Sequence, residues 1–306
     1  MPAQWEKLGL VFKPESRISW MRSHASLPVP LHLGGSRYRV YYSSRDSANR
    51  SHVGFFELSL DDPRTILEFT EHPVLAPGPI GYFDDHGVYA ASVERAPDGT
   101  MYLYTIGWNH GGRPPLFYAS IGLATSSNGG QSFEKFGGAP ILARGNHDPC
   151  LVTSPVVLRE NDRWRMWYVS GTGWLDTGAT LSSQYHIKYA ESIDGIAWRR
   201  DGTVCIDHAD ASERNIARAW VVPCEDAYRT WFSSDRGDGY RIHTASSPDG
   251  ITWTREHEPV IEPSSSGWDS DALAYPAVVL HEGSLFMFYN GNGFGIDGVG
   301  LAVLSA

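Results

Sequence analysis

The 306-residue sequence predicts an all-β fold, a five-bladed β-propeller with four-stranded antiparallel blades, and three observations predict it. One phrase is written twice: "YHIKYAESIDGIAW" at 185–198 returns as "YRIHTASSPDGITW" at 240–253. Five aromatic strands recur, "RVYYSS", "YLYTIG", "RMWYVSG", "YRTWFSS" and "LFMFYNG", and with Tyr42, Thr105, Tyr168, Phe232 and Tyr289 taken as equivalent their spacings are 63, 63, 64 and 57 residues. The two ends of the sequence also complement each other, as argued below. A fixed period of this length marks a repeat architecture.

Each unit opens with an apolar run that ends in a turn: "HLGGSR", "APDGT", "RENDR", "PCEDA" and "HEGS". These residues tolerate tight hairpin geometry. The aromatic strand follows, and then a third strand, "LATSSNGG", "KYAESIDG" or "HTASSPDG", in which Asn128, Asp194 or Asp249 enters a glycine turn. Phe133, Trp198 or Trp253 then starts the outermost strand. The fifth unit stops at "VGLAVLSA" before any such turn, whereas "QWEKLGLVF" near the start reads as an outermost strand opening at Trp5. The amino-terminal strand is therefore expected to complete the last blade, closing residues 1–306 into a single domain with no long sheet edge left unpaired. Composition agrees: aromatics are 12% of residues, with 32 Gly and 19 Pro to punctuate short strands.

A formal charge of −10 and the lack of a basic run argue against nucleic acid as a partner. With no apolar stretch long enough to span a bilayer and no charged-then-apolar leader, a cytoplasmic location and no membrane partner are expected. The three cysteines, Cys150, Cys205 and Cys224, lack CxxC spacing and read as reduced thiols. Nothing in the sequence sets an oligomeric state.

In a propeller the first strand of each blade lines the central channel, so polar residues at the strand entrances are expected to converge. Twenty residues before the aligned positions stand Arg22, Asp85, Asp148, Ser212 and Asp269, with Glu213 beside Ser212. Asp85, Asp148, Glu213 and Asp269 are candidate catalytic carboxylates, because grouped acids raise one another's pKa and divide into acid and base. His24 is a candidate base where the first unit offers no acid. Candidate substrate-binding residues are Arg22, Arg45, Asp84, His86, Trp108, His147, Trp174, Arg218, Asp271, Tyr275 and Asn290. Acids with aromatic walls suit a polyhydroxylated ligand. The arginines suit either acid pairing or a ligand phosphate or carboxylate. His24, His86 and His147 form no HxH or HExxH spacing, so no metal site is marked. No cofactor is required, although an acid-rich channel could house a calcium ion.

The segments "FDDHGV", "RMWYVSG", "YAESIDGIAW", "GWDSDALAYP" and "YNGNGFG" resemble the five-bladed propeller enzymes related to glycoside hydrolase families 32, 43, 62, 68 and 130. The resemblance extends to a bacterial branch associated with sugar biosynthesis and covers the whole chain. It implies a carbohydrate-active enzyme, most simply a hydrolase, acting on a sugar, nucleotide-sugar or nucleoside-like substrate, with Asp85 as the second-blade acid and Glu213 as the fourth-blade acid. The furanosidase relatives carry an Asp at the first-blade entrance, where this chain has "WMRSHAS", a departure that opens phosphorolysis or elimination as alternatives. A non-catalytic glycan- or protein-binding propeller is the competing class.

Overall fold

The computed structural model describes residues 4–178 and 180–305. Strand β1 (Glu6–Phe12) is followed by antiparallel meanders of four strands each. The first holds β2 (Ser23–Gly34), β3 (Arg37–Arg45), β4 (Ser51–Ser59) and β5 (Asp62–Phe69). The second holds β6 (Gly87–Arg95), β7 (Met101–His110), β8 (Phe117–Ser126) and β9 (Glu134–Lys135). In the third are β10 (Val152–Glu160), β11 (Arg163–Asp176), β12 (Leu181–Ser192) and β13 (Val204–Ile206). The fourth contains β14 (Asn215–Pro223), β15 (Tyr228–Asp235), β16 (Tyr240–Ser247) and β17 (Thr254–Arg255). Last come β18 (Ala274–His281), β19 (Ser284–Asn290) and β20 (Val299–Leu304), and β1 pairs antiparallel with β20 to make the fourth strand.

By hydrogen bonding these strands form three open sheets. One is the four-stranded β1-β20-β19-β18. Each of the two eight-stranded sheets is a pair of meanders joined by a single parallel pairing, Ser51 with Gly87 or Tyr185 with Asn215.

The doubled phrase is the third strand and its glycine turn. Asp194 Oδ1 accepts from the N–H groups of Ile196 and Ala197, and Asp249 Oδ1 from those of Ile251 and Thr252, all at 2.7–2.8 Å. Gly130, Gly195 and Gly250 sit at φ of 83°, 75° and 74°, a conformation that glycine adopts without a Cβ penalty. Their carbonyls accept from the preceding meander: Tyr41 Oη on Gly130, Tyr104 Oη on Gly195 and Trp167 Nε1 on Gly250. The aromatic second strands are thus hydrogen-bonded latches between neighbours as well as core. In the next step Trp5, which precedes β1, meets Trp231 edge to face, with ring centroids 6.3 Å apart. The fifth meander reaches the first through Asn290, whose side chain accepts from Leu27 N–H and donates to the carbonyl of Ala25.

Every meander's first strand also carries a register shift near its inner end: between Ser26 and Val29, Ala90 and Ser92, Thr153 and Val156, Ala217 and Trp220, and Ala274 and Ala277. Four of the residues at these shifts, Leu27, Ser154, Arg218 and Tyr275, have positive φ. Such bulges turn side chains out of the regular alternation, and here they shape the floor of the cavity described next. Among the described residues, no helix is long and apolar enough to cross a membrane.

Candidate functional site

A buried carboxylate precedes the first strand of four meanders, and each is committed to an ion pair inside its own meander. Asp84 pairs with Lys135 of β9. Asp148 takes Arg200 at 2.8 Å and Lys188 at 3.5 Å, with the Tyr168 hydroxyl at 3.2 Å. Glu213 receives two bonds from Arg255 of β17, at 2.8 and 2.7 Å, and one from Ser234. Asp269 takes Lys7 of β1 at 2.7 Å and the Tyr289 hydroxyl at 3.1 Å. In the first meander Met21 occupies this place, with the Tyr42 hydroxyl 3.3 Å from its sulfur. The cation comes from or beside the outermost strand, so the acid ties the innermost edge of the meander to its outermost edge. For Glu213, burial alone would raise the carboxyl pKa, but Arg255, Ser234 and the Ala209 N–H outweigh it and hold the pKa at about 2.

These positions correct two expectations. The register in the first two meanders is one residue earlier than the spacing implied, at Met21 and Asp84 instead of Arg22 and Asp85. The candidate carboxylates also do not line the cavity described next: Asp85, Asp148, Glu213 and Asp269 are all absent from its wall.

All five meanders contribute to a cavity of ≈ 730 Å³. Its wall is aromatic, with Tyr89, Trp108, Phe117, Tyr185, Tyr240 and Tyr275. Asp235, at the end of β15, is the only carboxylate among the lining residues, and Arg45, at the end of β3, the only arginine. Asp235 Oδ1 is held by the N–H groups of Gly237 and Gly239 at 2.9 and 3.2 Å. Arg45 donates to the hydroxyl of Tyr89 and to Asn49, both at 3.0 Å, while its buried Nε finds no partner among the described residues. The Tyr185 and Tyr240 hydroxyls are hydrogen-bonded to each other. Burial pushes Tyr185 up to about 12 and also raises Tyr240 and Tyr275, so all three present neutral hydroxyls.

Asp85 reaches this wall indirectly. Its carboxylate accepts from Gly81 N–H, the Asn109 amide and His86, which overcome its burial and lower its pKa. The His86 ring lies 4.4 Å from that of His110 and 5.9 Å from that of Trp108, both lining residues.

Of the expected binding residues, Arg45, Trp108 and Tyr275 line the cavity. Trp174 packs edge to face on Phe117 at 5.4 Å. Arg22, His147 and Asp271 are exposed and outside the wall. Asn290 is fully buried in the hydrogen bonds that join the last meander to the first. His24 bonds Ser23 at 2.8 Å, and burial together with nearby Arg45 lowers its pKa to about 4. Arg218 is buried at the central bulge, donating to the Pro28 carbonyl at 2.6 Å and lying 5.0 Å from the Trp220 ring. Its Nε and Nη1 have no partner among the described residues, and burial depresses its pKa to about 9.

No family model matches the chain. Over 301 residues it is 40% identical to the Mycobacterium tuberculosis protein Rv1502, described as uncharacterized, covering 98% of this chain and 99% of the relative. MT1551, from a second strain, matches to the same extent. The chain belongs to the Rv1502 family.

Solved structures show that this Rv1502-family chain has the fold of glycoside hydrolase-like propeller proteins. A glycosyl hydrolase from Bacteroides ovatus gives a TM-score of 0.72 at 16% identity, over 99% of this chain and 94% of that protein. A structure from work on the GH130 family of mannoside phosphorylases and glycoside hydrolases gives 0.71 at 16%, over 99% and 94%. A thermostable family-43 glycoside hydrolase gives 0.67 at 16%, over 92% and 89%.

Sequence reasoning left His110, Tyr185 and Tyr240 out of the site of this Rv1502-family protein, whereas Asp235 was expected near its rim from its place at the end of a second strand. A signal for the two tyrosines was present: each is the first letter of the doubled phrase, so the repeat itself places them at matching points of neighbouring meanders.

Proposed function

We propose that this chain is a carbohydrate-active enzyme, a five-bladed propeller that transforms a sugar, nucleotide-sugar or nucleoside-like substrate in its central cavity. The five-blade reading is supported by the four-stranded meanders, by β1 completing the last of them, and by Asn290 linking the last to the first. The observation that carries the function is the composition of the cavity wall: aromatic surface and neutral tyrosine hydroxyls around one carboxylate, Asp235, and one arginine, Arg45. Aromatic faces cover the C–H faces of a sugar ring, while hydroxyls and a carboxylate bind its polar edge.

Asp235 takes the role of acid or base, with Asp85 acting through His86 as the second candidate. Hydrolysis of glycosides ordinarily uses two facing carboxylates, and a wall with one favours chemistry in which a bound anion or a hydroxyl supplies the partner. Arg45, with an unpaired Nε among the described residues, is placed to hold an anionic group of the substrate or a phosphate co-substrate. The purified chain, assayed against glycosides, sugar phosphates and nucleotide sugars with and without inorganic phosphate, separates hydrolysis from phosphorolysis. An unsaturated product identifies elimination. Asp235→Asn is expected to lower turnover at least about 100-fold while leaving saturable binding in place. Full turnover in that variant removes Asp235 from the mechanism, and binding without any product in the parent supports a non-catalytic propeller.

A further inference from the structure

Beside β13, outside the cavity wall, three side chains that the repeat does not explain come together. His186 lies on β12, and Asp207 and His208 follow β13. Their candidate ligand atoms all lie within 4.8 Å of one another. His186 Nδ1 is 2.9 Å and His208 Nδ1 is 3.5 Å from the same oxygen, Asp207 Oδ1. Around an ion bound tetrahedrally at about 2.0–2.1 Å, neighbouring ligand atoms stand about 3.3 Å apart. The two separations bracket that value.

The hydrogen bonding of His208 fixes its tautomer. Its Nε2 faces the carbonyl oxygens of Tyr185 at 3.2 Å and Arg214 at 3.1 Å, neither of which can donate, so Nε2 carries the proton. In the neutral ring Nδ1 then turns a lone pair towards a carboxylate oxygen. A cation between them converts that repulsion into two ligand bonds, and imidazoles that bind metals commonly rest their other N–H on a carbonyl in this way. His186 is only 8% exposed, and its Nε2 has no partner among the described residues.

We propose that His186, Asp207 and His208 bind one divalent transition-metal ion, with zinc the natural occupant for two imidazoles and a carboxylate. Asp207, whose side chain is 65% exposed, leaves the remaining coordination open to water. The ion staples the segment leaving β13 onto β12. Because His208 rests on the Tyr185 carbonyl, the staple also steadies the strand that carries Tyr185 to the cavity wall. The site is independent of the reaction proposed above.

The full chain, stripped with a chelator, is titrated with Zn²⁺ by calorimetry, and retained metal is counted by elemental analysis; bound Co²⁺ reports imidazole ligation through its visible d–d bands. The parent and His281→Ala, a substitution in the separate Asp61–His281–Glu282 group at the surface, are expected to take up one equivalent. Asp207→Asn and His208→Ala are expected to lose at least about tenfold in affinity. Absence of saturable uptake by the parent overturns the proposal, as does unchanged affinity in both cluster variants. The parent titration is decisive even where a variant fails to fold.

Discussion

Replacing Asp148 by asparagine separates a structural acid from a catalytic one. The carboxylate is fully buried, and its partners Arg200 and Lys188 have side chains 16% and 10% exposed. The amide would keep the shape of the carboxylate but leave two largely buried cations without a counter-charge. Breaking a buried pair from one side costs about 3–5 kcal/mol, and the residual solvent access of both cations places this case near the lower end, about 3 kcal/mol. With an unfolding entropy of about 2.1 cal/mol/K per residue, a chain of this length loses about 5 °C in Tm for that cost. Differential scanning calorimetry on parent and variant measures the shift, and turnover is normalised to folded protein. Arg50→Ala, which breaks the more exposed Asp46–Arg50 pair, is the comparator and should cost less than about 1 kcal/mol. An Asp148→Asn protein with an unchanged Tm and abolished turnover would refute the structural assignment and restore Asp148 to the chemistry.

Glu213 titrates at about 2 in the fold against an ordinary 4.5, so its contribution to stability is complete above pH 4.5 and lost as pH falls from 4.5 towards 2. Denaturant melts across that range should show a steeper acid loss in the parent than in Glu213→Gln. Gly195→Ala puts a Cβ at φ of +75°, 2.7 Å from the Tyr104 hydroxyl and 2.9 Å from the Trp164 ring, and should cost about 1–3 kcal/mol by chemical denaturation. An unaffected variant would remove the glycine turn from the latch between the second and third meanders. Asn290→Ala strips partners from the Leu27 N–H and from the carbonyls of Ala25 and Gly298, and a loss of about 1–3 kcal/mol is expected, with faster amide exchange at Leu27.

The repeat was legible because hydrogen-bonded geometry requires particular letters. A glycine turn entered by an Asx residue and followed by an aromatic needs positive φ, a side-chain acceptor and a ring to cover it, so three meanders spell it alike. The partnership of β1 with β20 was readable from Trp5 and the truncated last unit for the same reason. Side-chain direction was not readable. Spacing put Asp148 and Asp269 at equivalent places, with Glu213 one residue past the fourth, but equivalence is equally produced by a shared structural task. The cations that claim these acids, Arg200, Arg255 and Lys7, lie 52, 42 and 262 residues away, at separations no local pattern connects. Bulges add a second obstacle: a register shift in each first strand changes which face its next side chain meets, and period-two alternation cannot anticipate it. Asp235 shows the converse. It stands at the end of a second strand, where the meander returns to the cavity, and two glycine N–H groups fix one of its oxygens without recruiting any cation among the described residues. A carboxylate held by backbone alone keeps its charge available to a ligand, whereas one already paired with arginine or lysine does not. On that physical ground Asp235, and not the four acids at the strand entrances, is the group on which the chemistry of this cavity should be tested first.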